Sequence, residues 1–150
     1  MKKPLLALIL ISAAATPFTA NAQFAKPEDA VKYRQAAYTV MGNHFGRISG
    51  VVRGTRPYNA AEVSESAAII ELMAKQPFSA FGPGTDVGTH RAKPEVWTKA
   101  GEFKSAADKM MEETVKLSAA ARSGNIENIK AAFASTGQSC KACHDNFRKE

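Results

Sequence analysis

Apolar side chains return every seven residues in two separate stretches of the chain. Val31, Tyr38, Phe45 and Val52 form the first series, with Gln35 and Met41 filling in; Val96, Phe103, Met110 and Leu117 form the second, with Ala100, Ala107 and Thr114 between them. A seven-residue return is two turns of α-helix, so each series draws one face of a long helix rather than a strand. Pro27, Glu28 and Asp29 open the first helix, proline suiting the first turn and the acids complementing the helix dipole, and Arg53-Gly54-Thr55-Arg56-Pro57 closes it, giving 27–52. Asn59 stands three residues before Glu62, the spacing of a capping box, and Val63, Ala67, Ile70 and Ala74 mark a second helix over roughly 60–75. The second seven-residue series predicts one unbroken helix from Pro94-Glu95 to the stop at Arg122-Ser123-Gly124. Asn125 then caps a fourth, with Ile126, Ile129, Phe133, Cys140, His144 and Phe147 on one face. Gly137 shares that face, where it lets something large approach the backbone.

Between the second and third helices lies QPFSAFGPGTDVGTHRAKP, too rich in glycine and proline for a helix. A loop of that length in a compact domain is usually functional or disordered. No segment reads as strand. Two tight connections and one long one between four amphipathic helices imply an all-α, antiparallel four-helix bundle.

The first residues, MKKPLLALILISAAATPFTANA, have the layout of a secretory leader: Lys2 and Lys3, an apolar run from Leu5 to Ala15, then Ala20-Asn21-Ala22 as the cleavage site. The run is roughly half the ~20 residues a membrane-spanning helix needs. Cleavage after Ala22 is expected to leave residues 23–150 as one exported domain without a membrane anchor. Two lysines and no acids leave with the leader, so the formal charge falls from +6 to +4. That balance, without blocks of Lys and Arg, excludes no soluble class but does not argue for nucleic acid. It is compatible with weak docking to an acidic redox partner.

The chain has two cysteines, both in SCKACHDNFRKE at its tail. A Cys140–Cys143 disulfide would close so small a loop that it would restrain little of the unfolded chain. On a helix, Cys140, Cys143 and His144 project from adjoining parts of one face, and C-x-x-C-H is the attachment pattern of c-type haem. The two thiols form thioethers with the haem vinyl groups and the imidazole takes an axial position on the iron. A thioredoxin-like C-x-x-C belongs near a βαβ unit, which six residues after His144 cannot supply. A structural zinc site wants a fourth ligand, from His44 or His90, and neither carries a supporting motif.

The export leader, the four-helix pattern and CKACH near the C-terminus together resemble cytochrome c′, a class II c-type cytochrome. QFAKPEDAVKYRQAA, HFGRI, PYNAAEV, AFGPGTD, KPEVW and TGQSCKACHDNFRKE carry the resemblance over essentially all of 23–150. It implies an up-down-up-down bundle, one covalently attached haem c with His144 as axial ligand, a bacterial periplasmic location and a homodimer formed through the first two helices. It implies further that Arg34 and Gln35 contact the haem, Arg34 through a propionate, and that Thr89 touches it from the loop. Relatives with six-coordinate iron place methionine shortly after the Arg-Gln pair. The corresponding residue here is Tyr38, and a neutral phenol is a poor iron ligand. The resulting expectation is five-coordinate iron with Tyr38 over the distal face, binding the diatomic gases NO and CO, and no enzymatic activity. The alternative is an electron-transfer cytochrome with a sixth ligand such as Met41, serving periplasmic redox partners; Met41 also reads as core filler. Arg148, one turn beyond His144, is expected to act on the proximal ligand. His44 is expected at the surface or a helix end, and His90 in solvent.

Overall fold

The computed structural model describes residues 23–150; the proposed leader, 1–22, lies outside the described residues. Five α-helices follow in order: α1 Pro27–Val52, α2 Ala60–Ala74, α3 Glu95–Thr98, α4 Ala100–Ser123 and α5 Ile126–Phe147. The four long ones form the bundle, α1 packing on α2, α2 on α4 and α4 on α5. The expected caps are made. Asn59 Oδ1 accepts from Ala61 and Glu62 N–H at 3.0 and 3.2 Å, and Asn125 Oδ1 from Glu127 and Asn128 N–H at 2.9 and 3.1 Å. Each satisfies two donors that the first turn of a helix leaves without partners. Gly124 ends α4 at φ 71°, the left-handed torsion a helix stop favours and a side chain resists.

The third helix differs from the sequence expectation. Lys99 leaves helical torsions at φ −121°, ψ 46°, which separates the short α3 from α4. The seven-residue return from Val96 to Phe103 survives the break because tertiary packing holds both ends. Val96, Phe103 and Phe147 form one buried cluster, and Trp97 Nε1 donates to the Gly82 carbonyl at 3.3 Å, turning α3 toward the loop. The Gly/Pro-rich segment also carries a short 3₁₀ turn, Pro77–Ala80, where no helix was expected.

Apolar packing is divided between the two ends of the bundle. Ile48, Val63, Ala67, Ile70, Leu117, Ala121 and Ile129 make the core at one end, and the Val96–Phe103–Phe147 cluster closes the other with Phe78, Phe81 and Trp97 against it. Between the two clusters α1 and α5 draw apart around a cavity. The loop is tied over that gap. Lys93 N–H donates to Phe147 O at 2.9 Å and Lys149 N–H to Arg91 O at 2.7 Å, an antiparallel bridge that joins residues 91–93 to the end of α5.

Candidate functional site

The cavity measures about 1010 Å³, at the upper end of the ~300–1,000 Å³ typical of small-molecule sites. Its walls are largely apolar: Phe45, Ile70, Phe78, Phe81, Val96, Phe103, Ala107, Met110 and Phe147. Apolar walls of this extent around an open space are poorly served by water and are shaped for a large apolar group.

Cys140, Cys143 and His144 all line this cavity, brought to one side of it by the i, i+3, i+4 spacing on α5. Both cysteines are half-buried free thiols. Burial raises the Cys140 pKa above that of an ordinary thiol, and burial together with neighbouring Cys140 raises that of Cys143. His144 is depressed, first by burial and then by the positive charges of Arg148 and Arg91, with Asp145 opposing, so its imidazole is held neutral and available as a ligand. Arg148 Nη1 lies 3.4 Å from His144 Nδ1, which leaves Nε2 for a metal. Gly137 lines the cavity one turn before Cys140; a Cβ there would stand 3.7 Å from the Phe45 ring, so the missing side chain keeps the wall thin. Two thiols, a neutral imidazole and a thin-walled apolar cavity suit a large flat ring bearing two electrophilic carbons and a metal. Haem is such a group.

From α1, Arg34, Gln35, Tyr38 and Met41 reach the same cavity. Tyr38 is half-buried. Its phenol pKa is raised well above the usual tyrosine value, first by burial, then by Cys143, with Arg34 opposing and Cys140 adding to the rise, so it carries no charge at any working pH. Met41 is packed against the Ile48–Ile70–Leu117 core.

Arg34 is buried, 2% exposed. Its guanidinium donates to Ala80 O at 2.9 Å, Thr85 Oγ1 at 3.3 Å and Thr85 O at 3.1 Å, and it lies over the Phe81 ring at 4.5 Å. It therefore clamps the loop to α1. Burial lowers its pKa, with Tyr38 and Asp86 opposing. Gln35 makes the next clamp, donating from Nε2 to Thr89 O at 3.0 Å. Thr89 itself stands at the rim, outside the cavity lining, tied to it through Gln35.

His44 packs between α1 and α2, its Nδ1 3.3 Å from Ser66 Oγ, away from the cavity. His90 corrects the sequence expectation. Its side chain is 7% exposed and lines the cavity, with Nε2 2.9 Å from Asp86 Oδ1, Nδ1 accepting the Ala92 N–H at 3.2 Å and the ring edge-on to Trp97. The Gly/Pro composition around it announces a loop but not that the loop folds back over its own histidine. Phe81 and Trp97, which back Arg34, were not singled out from the sequence; an arginine on the inner face of α1 was the signal that aromatic or carbonyl partners had to come from elsewhere.

The family model described as Cytochrome C' matches residues 29–148. The chain is 49% identical over 128 residues to cytochrome c' of Alcaligenes xylosoxydans xylosoxydans, covering 85% of this chain and 99% of that protein. It is 46% identical over 129 residues to cytochrome c' of Rubrivivax gelatinosus, covering 85% and 100%. The crystal structure of the Rubrivivax gelatinosus protein superposes with a TM-score of 0.82 at 47% identity, over 85% of this chain and 100% of that one. A nitric oxide complex of a variant cytochrome c prime from Alcaligenes xylosoxidans superposes at 0.80 with 48% identity, over 85% and 99%.

Proposed function

The chain belongs to the cytochrome c′ family, whose cofactor is covalently attached haem c, and on that footing we propose that it is a periplasmic haem protein that binds NO and CO at five-coordinate iron. Cys140 and Cys143 hold the haem by thioethers, His144 is the axial ligand, and Arg34, Gln35 and Thr89 serve its rim. When bound, the haem supplies an iron centre able to take a diatomic gas or exchange an electron.

One observation carries this reading: the neutral, half-buried phenol of Tyr38 faces the cavity from α1, at the position where six-coordinate relatives place methionine. Tyr38 excludes water and leaves room only for small uncharged molecules. Met41 is occupied with core packing, which disfavours the electron-transfer alternative with a methionine ligand. Two other polar side chains on the cavity, Arg34 and His90, are committed to loop carbonyls, Thr85, Asp86 and Ala92, so neither is free for acid–base turnover. This favours a binding protein over an enzyme. A nitric oxide complex of a relative lends weight to the choice of gas.

The leader pattern at 1–22 supports export to the periplasm, and no described helix is long and apolar enough to cross a membrane. Val40 on α1 and Leu72 on α2 are exposed, 39% and 58%, and offer apolar surface for a homodimer through those helices. Exchange of electrons with periplasmic partners is compatible with the same site. The test is the absorption spectrum of the purified ferrous protein with and without CO and NO. We expect a five-coordinate spectrum that both gases change; a six-coordinate low-spin spectrum indifferent to CO would overturn the proposal.

A further inference from the structure

The last turn of α5 is completed from outside the helix. The final four carbonyls of an α-helix have no partner within it. In α5 they belong to His144, Asp145, Asn146 and Phe147. His144 O accepts the Arg148 N–H at 3.0 Å, from the residue that follows the helix. Two of the others are served by Lys93, across the gap. Its backbone N–H donates to Phe147 O at 2.9 Å and its Nζ to Asp145 O at 2.8 Å.

Among the described residues, the other lysine ammoniums that have a partner take carboxylates, as Lys104 does with Asp108 and Lys116 with Glu112. Asp145 has a carboxylate to offer, but Lys141 holds it at 2.6 Å. Lys93 therefore brings its charge to the peptide end of α5, where a cation complements the helix dipole. Asp145 directly follows His144, so this contact closes the turn that carries the imidazole. Lys93 stands outside the cavity lining, yet its neighbours tie it to the far wall. Ala92 N–H donates to His90 Nδ1 at 3.2 Å, His90 Nε2 meets Asp86 Oδ1 at 2.9 Å, and Gln35 Nε2 donates to Thr89 O at 3.0 Å. A line of bonds thus runs from α1 along residues 86–93 to the end of α5.

We infer that Lys93 is a positioning residue for His144: from the loop it fixes the last turn of α5, and with it the direction in which the imidazole faces the cavity. The inference rests on the reading of His144 as axial ligand given above, and names what holds that ligand still. Helix ends fray, and a ligand in the final turn shares in the fraying unless the turn is closed.

The experiment compares the wild-type holoprotein with Lys93→Met, Lys93→Arg and Lys149→Met. Lys93→Met keeps the backbone N–H and the apolar stem and loses only the ammonium, so the domain should fold and melt close to wild type. Lys93→Arg keeps a cationic donor. Lys149→Met removes a positive charge from the same end of the molecule without removing a bond to an α5 carbonyl. In Lys93→Met, amide exchange at Phe147, Arg148 and Lys149 should speed up by about tenfold, a charge-assisted hydrogen bond discounted for its exposure. The iron–histidine stretching band of the ferrous protein, read by resonance Raman, should shift and broaden. Lys93→Arg should restore both readouts and Lys149→Met should move neither. Faster exchange with an unmoved band would overturn the proposal, since Lys93 would then cap the helix without positioning the ligand. An equal band shift in Lys149→Met would overturn it too, by assigning the effect to charge alone, as would failure of Lys93→Arg to restore the band. A wild type with no iron–histidine band would sink the five-coordinate, His144-ligated reading itself, and this proposal with it.

Discussion

Replacing Arg34 by methionine removes a guanidinium that does its work some fifty positions away along the chain. The stem volume is roughly kept, so the loss is polar rather than a cavity. Three donations disappear, to Ala80 O, Thr85 Oγ1 and Thr85 O, together with the stacking on Phe81. A hydrogen bond to a charged group contributes about 1.5–3 kcal/mol, and a buried carbonyl left without its donor costs about 1–3 kcal/mol. A desolvated cation–π contact adds about 2 kcal/mol. Against this, methionine releases the desolvation penalty of a buried charge, which is several kcal/mol. The net destabilisation should be about 3 kcal/mol, a large share of the stability of a domain this size, and should lower the Tm by on the order of 10 °C. Thermal and denaturant unfolding of the holoprotein reads the first quantity, and amide hydrogen exchange over 77–90 reads the second effect, loosening of the loop. A Tm within about 2 °C of wild type with unchanged exchange would refute the clamp. If Arg34 instead serves chiefly a haem propionate, the reduction potential should move while loop exchange stays put.

Two further outcomes follow from charge at the cavity. The Tyr38 phenol is held above its ordinary value by burial, and a folded pKa raised above the unfolded one of about 10 means that its stabilising contribution is complete below that pH and is lost as pH climbs beyond it. Tyr38→Phe should therefore flatten the alkaline decline in stability, and identical pH profiles would refute the assignment. Arg148→Ala removes a positive charge 3.4 Å from His144 Nδ1; the reduction potential should fall or NO coordination change, and identical values in redox titration and NO spectra would remove Arg148 from the site.

The helices were legible where signals are local. Asn59 and Asn125 announce α2 and α5 because a cap is decided within three residues, and CKACH announces its chemistry because the three ligating atoms share one helical face. The break at Lys99 was not legible. Val96 and Phe103 keep the seven-residue return on either side of it, and the cause lies in Trp97 reaching Gly82, fifteen positions back. The burial of His90 was hidden for the same reason: its surroundings are assembled by Arg34 and Gln35 gripping the loop from α1. The sequence named Arg34 and Gln35 as site residues through resemblance, but the loop partners that hold them are long-range and leave no periodic trace.

The same grips say where the chain can be lengthened or shortened over evolutionary time. Arg34 fastens residues 80 and 85, Gln35 fastens 89, and Asp86 with His90 closes the interval between. Between Asp86 and Thr89, Val87 and Gly88 lie free of these ties, as Pro83 and Gly84 do between Ala80 and Thr85, both glycines at positive φ, 66° and 77°. Extra residues inserted there enlarge a loop that is already closed, and doubling such a loop costs only about 0.6 kcal/mol. Length variants among relatives should collect at these two short intervals, leaving the cofactor's wall untouched on both sides.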